Sequence, residues 1–203
     1  MMRLFDNPAS PFCRKVGVLL RETGQLGDVE MVAAAGAPTN PDQMPLAQNP
    51  LGKIPALVRD DGAALYDSRV ICRYLDSRAG AGLYPPAPAL WDALTLEATA
   101  DGIMDAAVLM VYESRCRPEE MRVEAWVAGQ WAKIARALDV LQARWMSHLY
   151  GPLDIGQIAV GCALGYLDFR HGDRDWRAGH DALAAWEKTF AQRDSMAATV
   201  PPV

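Results

Sequence analysis

The stretch "QNPLGKIPAL", residues 48–57, decides the fold because it joins an irregular, proline-bearing loop to the first of two short apolar runs. The second run follows Asp60-Asp61-Gly62, and Asp-Gly between apolar runs is a signal for a β-hairpin. The next stretch, "YDSRVICRYLD" at residues 66–76, has the pattern of a helix that Asp67 or Ser68 caps. These features predict a loop, two hairpin strands and a closing helix.

The residues upstream predict a strand, a helix and a second strand. "MRLFD" at 2–6 is a short apolar run, and the apolar residues of "FCRKVGVLL" then recur with helical spacing. Ser10 is a favoured N-cap, Pro11 suits a first helical turn and Gly24 suits a stop. "DVEMVA" at 28–33 predicts the second strand. The predicted order, βαβ-α-ββα with an irregular middle segment, is that of an α/β thioredoxin-like domain over residues 1–79.

Residues 80–89 have the composition of a linker, because proline, glycine and alanine dominate them. Every later pattern is helical, so residues 90–203 are predicted to form an all-α helical bundle domain. No proline interrupts the chain from Leu90 to Cys116, and Pro118 is predicted to open a second long helix.

The remaining helices are predicted from an apolar seam, a capping motif and a last amphipathic pattern. The seam of the second long helix steps by four and three residues and predicts a buried face: Val127, Trp131, Ile134, Leu138, Leu141 and Trp145. Asp154 and Gln157 resemble a capping box that begins a third helix. "HDALAAWEKTFAQR" at 180–193 predicts the last helix.

Composition excludes several classes of function. The net charge of −5 argues against a nucleic-acid surface, which is normally basic. No apolar run approaches the roughly 20 residues that span a bilayer, and the N-terminus has no apolar segment of signal-peptide length. The four cysteines lack short paired spacings and the three histidines lack metal-ligand spacing. We therefore expect reduced thiols, no metal, no membrane contact and a cytoplasmic location.

The pairing of "QNPLGKIPAL" with "YDSRVICRYLD" resembles the soluble glutathione S-transferases, and the resemblance extends over nearly the whole chain. "SPFCRKV", residues 10–16, is most similar to the bacterial members that carry a serine at the active position. The resemblance implies a homodimer that takes glutathione as co-substrate, conjugates it to a small hydrophobic electrophile and serves detoxification. It also implies a cis peptide bond between Ile54 and Pro55.

The resemblance also implies the roles of individual residues. Ser10 is the catalytic candidate, and the second substrate is expected beside one face of the first long helix. The glutathione-binding candidates are Phe12, Lys53, Ile54, Pro55, Asp67 and Ser68. The candidates for the second-substrate pocket are Met104, Val108, Val111, Tyr112 and Arg115. By the same resemblance, Asp101 is expected to reach glutathione in a partner subunit.

The chemistry of the segment around Ser10 leaves alternatives open. A serine hydroxyl at a helix N-terminus can stabilise the thiolate of glutathione, yet serine is also a common structural N-cap. Cys13 is a candidate redox residue or a structural one, and Arg14 and Lys15 either attract an anion or lie on a solvated surface. The alternatives to a transferase are a glutathione-dependent thiol-disulfide or peroxide reductase and a non-enzymatic protein-binding member of the family.

Overall fold

A three-stranded sheet forms the centre of the N-terminal part in the computed structural model, which describes residues 1–202. Its strands lie in the order β2 (Val29–Ala33), β1 (Met2–Asp6) and β5 (Ala56–Val58), with β1 parallel to β2 and antiparallel to β5. Leu4 in β1 lies opposite Met31 on one side and Leu57 on the other. The strands and helices of this part are β1 (Met2–Asp6), α1 (Pro11–Glu22), β2 (Val29–Ala33), β3 (Ala35–Ala37), β4 (Asn40–Gln43), β5 (Ala56–Val58) and α2 (Ser68–Ala79).

The predicted thioredoxin-like order is present except in its middle segment. Residues 34–55 hold the two-stranded pair of β3 and β4 and a series of turns where a helix was expected. Five prolines in this segment remove backbone donors that a helix requires. The second arm of the predicted hairpin is reduced to one antiparallel bridge between Leu57 and Leu65.

The C-terminal part is helical throughout the described residues. Its long helices are α3 (Ala89–Cys116), α4 (Glu124–Val140) and α6 (Ile155–His171). The chain between α4 and the short α5 (Met146–Leu149) passes through a π-helical turn at Leu141–Trp145. The helices are α3 (Ala89–Cys116), α4 (Glu124–Val140), α5 (Met146–Leu149), α6 (Ile155–His171), α7 (Asp181–Phe190) and α8 (Asp194–Ala197).

The prediction that Pro118 opens the second long helix is wrong. Pro118 precedes a short 3-10 turn at Glu119–Met121, and α4 begins only at Glu124. The buried Glu113 carboxylate accepts from the Val123 N–H at 2.9 Å and from the Arg117 side chain at 2.9 Å. These two contacts tie the connection between α3 and α4 back to Glu113.

The predicted seam and the capping box are both present. Ile134, Leu138 and Leu141 are buried, whereas Val127, Trp131 and Trp145 are half-buried at the edge of the core. In the capping box, the Gln157 N–H donates to Asp154 Oδ1 at 3.2 Å, and the Asp154 N–H donates to Gln157 Oε1 at 2.9 Å. The box fixes the beginning of α6.

A buried ammonium joins the two parts of the chain. Lys15 in α1 is fully buried, and its Nζ lies 2.7 Å from Asp101 Oδ1 and 3.0 Å from Glu97 Oε1, both in α3. The Tyr84 hydroxyl donates to the same Glu97 oxygen at 3.0 Å. Burial alone would lower the pKa of Lys15, but the two carboxylates outweigh it and raise that pKa above its ordinary value. The two predicted domains are therefore joined by buried ion pairs. The boundary between them at residues 80–89 stays a prediction.

We expect Lys15→Met to destabilise the protein by about 3–5 kcal/mol, because it leaves two buried carboxylates without their cation. Urea denaturation measures the loss. Asp28→Asn is the control, since it removes a surface pair with Arg78 and is expected to cost about 1 kcal/mol or less. A loss for Lys15→Met no larger than that of the control would contradict the role of the buried ammonium.

Candidate active site

Three segments meet where β1 ends, and the strand register shows why. Because Phe5 lies opposite Ala56 in an antiparallel pair, the residue before β5 lies beside the end of β1. Because Leu57 bridges Leu65, the chain that leads into α2 lies on the other side of β5. The loop into α1, the loop into β5 and the start of α2 are thus brought together at one edge of the sheet.

Ser10 is the N-cap of α1 and is half-buried. Its side-chain oxygen accepts from the Cys13 N–H at 3.3 Å, and its own N–H donates to Asn7 O at 2.9 Å. The hydroxyl accepts in this contact, so its proton remains available to a group placed at the helix N-terminus. Pro11 follows as the first helical residue, which completes the predicted N-terminal signal.

Cys13 is fully buried one turn into α1. Burial is the largest cause that raises the pKa of the Cys13 thiol, and the nearby Asp6 carboxylate raises it further. The Asp6 pKa is itself raised by burial. A thiol in this position is neutral at physiological pH and closed to solvent, which is the environment of an inert structural cysteine.

The loop before β5 is fixed by a buried asparagine. Asn49 Nδ2 donates to Lys53 O at 2.8 Å, and the Leu51 N–H donates to Asn49 Oδ1 at 3.0 Å. The peptide bond between Ile54 and Pro55 is cis, as the family resemblance implied. Ile54 is half-buried, and Lys53 is exposed at the edge of the site. Asn49 was not among the residues predicted for the site, although asparagine side chains commonly bind the backbone two residues further on in a turn.

Asp67 and Ser68 form the N-terminus of α2. Asp67 is the N-cap, and its carboxylate accepts from the Arg69 N–H at 3.0 Å and from Arg69 Nη2 at 2.7 Å. Partial burial would raise the pKa of Asp67, but the hydrogen bonds from Arg69 hold it below its ordinary value. Ser68 is buried as the first residue of the helix, where backbone N–H groups have no partner within the helix. Arg69 was not among the residues predicted for the site.

Three charged residues are buried within the chain, although the sequence suggested that they lie at the surface or at a subunit interface. Lys15 and Arg14 are both buried, so neither is a solvated surface cation. Arg14 Nη2 donates to Met196 O at 3.2 Å. The expectation that Asp101 reaches a partner subunit is wrong for this structure, because its carboxylate is buried and binds Lys15 of its own chain. Residue spacing alone could not show that these helix faces are covered.

The candidates for the second-substrate pocket divide into two groups. Met104 is fully buried in the core and presents no surface to a substrate, so its assignment to the pocket was wrong. Val108, Val111 and Tyr112 are half-buried and Arg115 is exposed. Positions 108, 112 and 115 continue the helix face on which residue 101 contacts α1. Phe12, in the first turn of α1, is half-buried against the same core.

Two features of the structure bear on the classes of function that composition argued against. Among residues 1–202, no three His, Cys, Asp or Glu side chains come together as metal ligands. In the same residues, no helix combines the length and the apolar character needed to cross a membrane.

Sequence profiles of two family domains match the chain. "Glutathione S-transferase, N-terminal domain" matches residues 9–78, and "Glutathione S-transferase, C-terminal domain" matches residues 124–188. The uncharacterized GST-like protein YibF of Escherichia coli K12 is 34% identical over 205 residues, which cover 99% of both chains.

Solved structures are similar over the whole chain. One is a glutathione transferase family member from Pseudomonas fluorescens Pf-5 with bound glutathione, at 54% identity, full coverage of both chains and a TM-score of 0.97. A second structure of a family member from that organism holds S-(propanoic acid)-glutathione, at 52% identity, full coverage of both chains and a TM-score of 0.92.

We expect Cys116 to be the first thiol alkylated in the native protein, because it alone of the four cysteines is not buried. Mass spectrometry after brief treatment with iodoacetamide measures the order, and Cys116→Ser should remove the fast reaction. Cys13, Cys72 and Cys162 should react only in denaturant. Fast native modification of Cys13 would contradict its assignment as a structural residue.

Proposed function

Because the chain belongs to the glutathione S-transferase family, we propose that it is a glutathione transferase that uses Ser10 to hold the thiol of glutathione as a thiolate. The main support is the meeting of two helix N-termini, those of α1 and α2, with the loop before β5 at one edge of the sheet. Helix N-termini are favourable sites for anions. Glutathione carries carboxylates and a thiol that ionises, so its chemistry suits this arrangement.

In this proposal the N-terminus of α2 binds the γ-glutamyl end of glutathione. The Ser68 N–H and hydroxyl donate to its carboxylate, which the α2 dipole also favours. Asp67 attracts the ammonium group, although Arg69 already shares its carboxylate and weakens that attraction. The solved family members from Pseudomonas fluorescens, which hold glutathione or a glutathione conjugate, support this binding role.

The loop before β5 binds the middle and the glycyl end of the tripeptide. The backbone of Ile54, held beside the cis Pro55, pairs with the cysteinyl part in the manner of an added strand. Asn49 supports this role because it fixes the loop from beneath. Lys53 extends an ammonium toward the glycyl carboxylate, and Phe12 packs beside the cysteinyl group.

Ser10 acts on the sulfur of glutathione. A free thiol of this kind has a pKa of about 8.5, so only a few per cent is thiolate at neutral pH. A hydrogen bond from the Ser10 hydroxyl favours the anion, and the positive end of α1 favours it further. The oxygen can keep accepting from the Cys13 N–H while its proton is donated to sulfur. Capping and catalysis therefore coexist in one side chain.

The thiolate then attacks an electrophilic carbon beside α3. With an aryl halide, the carbon–sulfur bond forms and the halide leaves with the electrons of the broken bond. The half-buried faces of Val108, Val111 and Tyr112 supply the apolar surface for such a substrate.

The alternatives have less support. A thiol-disulfide or peroxide reductase of this fold would use Cys13, whose burial and raised pKa disfavour reaction. A non-enzymatic binding protein would not require a glutathione site. The meeting of the loop before β5 with the start of α2 at the end of β1 therefore gives that alternative no support. The homodimer, the cytoplasmic location and the role in detoxification stay predictions from the family.

We expect Ser10→Ala to lower kcat/KM toward chlorodinitrobenzene by about 10- to 100-fold, because one hydrogen bond to a charged sulfur is lost. Stopped-flow or steady-state assays at neutral pH measure the change, and calorimetry should show that glutathione still binds. Unchanged turnover in this variant would remove Ser10 from the mechanism.

Ser10→Thr is the matched control, since it keeps both the hydroxyl and the N-cap. We expect it to retain most of the activity. A loss in Ser10→Thr as large as in Ser10→Ala would mean that packing, not the hydroxyl, explains the effect.

We expect Ser68→Ala to weaken glutathione binding about tenfold, since one donor to a buried carboxylate is lost. Calorimetry with glutathione alone measures it. Ser77→Ala is the control, because Ser77 is exposed near the end of the same helix. Equal affinities for the two variants would contradict the assignment of the γ-glutamyl site.

A further inference from the structure

The turn of α1 that carries Ser10 is held by few contacts of its own. The Ser10 hydroxyl oxygen accepts from the Cys13 N–H at 3.3 Å, which is a long hydrogen bond, and the Ser10 carbonyl accepts from the Arg14 N–H at 3.0 Å. Helix ends fray, because their first N–H groups have no partner within the helix. A hydroxyl that donates to a thiolate must nevertheless keep one direction. Support from outside α1 would supply that order.

Arg14 connects this turn to the far end of the chain. Its Nη2 donates to Met196 O at 3.2 Å, and its Nε donates to Thr199 Oγ1 at 3.4 Å. Both acceptors belong to residues 193–199, which we call the C-terminal segment and which contain α8. The Arg14 side chain is buried. Arg14 thus binds Ser10 through its backbone and the C-terminal segment through its side chain.

The Arg14 guanidinium is held by neutral acceptors alone. Among residues 1–202, Arg14 forms no ion pair within 4.0 Å, whereas its buried neighbour Lys15 binds two carboxylates. A buried cation without a counter-charge costs free energy. An apolar side chain of similar size would pack at a lower cost. The stability of the fold alone therefore gives no reason for a charge at this position.

Two glycines of α6 make room for these contacts. A Cβ added at Gly165 would collide with the Arg14 guanidinium, and a Cβ added at Gly161 would lie 3.2 Å from Met196 Cε. The two positions are one turn apart, so they lie on one face of α6. Glycine within a helix is less stable than alanine. Both glycines therefore favour the close approach of Arg14 and the C-terminal segment over the stability of α6 itself.

The C-terminal segment also binds the other end of α1. Arg193 Nε donates to Glu22 Oε1 at 2.9 Å, and its Nη2 donates to Glu22 Oε2 at 2.8 Å. Glu22 is the last residue of α1, and about 18 Å of helical rise separates it from Ser10. The segment thus holds α1 at two places, and the Arg14 contact belongs to the turn that carries Ser10.

We propose that Arg14 is a positioning residue, through which the C-terminal segment fixes the turn that carries Ser10 and keeps its hydroxyl directed at the sulfur of glutathione. The proposal rests on the transferase function given above. Arg14 acts through the backbone of Ser10 and not on the reacting atoms. Without this contact the hydroxyl donates to the sulfur for less of the time, so the thiolate loses stabilisation. The loop before β5 and the start of α2 still bind the rest of the tripeptide.

Titration of the bound thiol tests the proposal. The thiolate absorbance of glutathione in the complex is followed against pH, with S-methyl glutathione as the blank. We expect Arg14→Met to raise the midpoint by about one pH unit, which is a tenfold loss of thiolate below both midpoints. S-methyl glutathione has no thiol to ionise, so its affinity reports binding alone. Calorimetry should show a change in that affinity of about twofold or less.

The pH profile of turnover gives a second readout. With chlorodinitrobenzene, kcat/KM of Arg14→Met should be about tenfold below that of the wild-type protein at pH values below both midpoints. The difference should disappear above both midpoints, because the thiol is then ionised in either protein. A variant that is only less folded would lose the same fraction of activity at every pH.

Two gentler variants keep the test independent of folding in Arg14→Met. Gly165→Ala places a methyl group where the guanidinium lies, and Thr199→Val removes one acceptor but keeps the shape of the side chain. Both should raise the midpoint, Gly165→Ala by more than Thr199→Val. Gly129→Ala is the control for the glycine, because a Cβ there meets open space. Arg193→Met is the control for the segment: it should lower the free energy of unfolding and leave the midpoint at the wild-type value.

The outcomes separate this proposal from the one it rests on. A wild-type midpoint in both Arg14→Met and Gly165→Ala, with glutathione bound, would overturn the positioning role and leave the transferase function intact. A rise in Arg193→Met as large as in Arg14→Met would show a general loosening of α1 and would also overturn it. A midpoint in the wild-type protein equal to that of free glutathione, or a failure to bind glutathione, would overturn both proposals.

Discussion

The ion pairs of the buried Lys15 ammonium are the interaction on which the rest of the structure depends. Lys15 lies in α1, and both of its carboxylate partners, Asp101 and Glu97, lie in α3. Separating a buried charge from its partners costs much free energy, so this contact fixes the position of α1 relative to α3. Arg14, the next residue back, packs against α6 on another side of the same helix. Helix α1, which begins just after Ser10, is thereby fixed against helices of the C-terminal part.

This placement explains why serine suits the position. A thiol of the protein itself, Cys13, lies three residues further on, but burial makes it a poor anion. In our proposal the reacting sulfur belongs to glutathione instead. The Ser10 hydroxyl and the N-terminus of α1 both favour a negative charge on this sulfur.

The sequence predicted the local features of the fold and the site but not those that depend on tertiary contacts. Ser10, Asp67 and the capping box at Asp154 follow from N-cap preferences, which act within one turn, and each is in its expected place. Lys15 could not be distinguished from a surface lysine, because only the carboxylates of a distant helix show that it is buried. Pro118 was misassigned for a similar reason, since the contacts of Glu113 delay the start of α4.

We propose that the site lowers the pKa of the glutathione thiol, and titration of the bound ligand measures this pKa. The ultraviolet absorbance of the thiolate is followed against pH in the complex of the wild-type protein with glutathione, with S-methyl glutathione as the blank. We expect a midpoint at least one pH unit below the value of about 8.5 for a free thiol. A midpoint equal to that of free glutathione would contradict it.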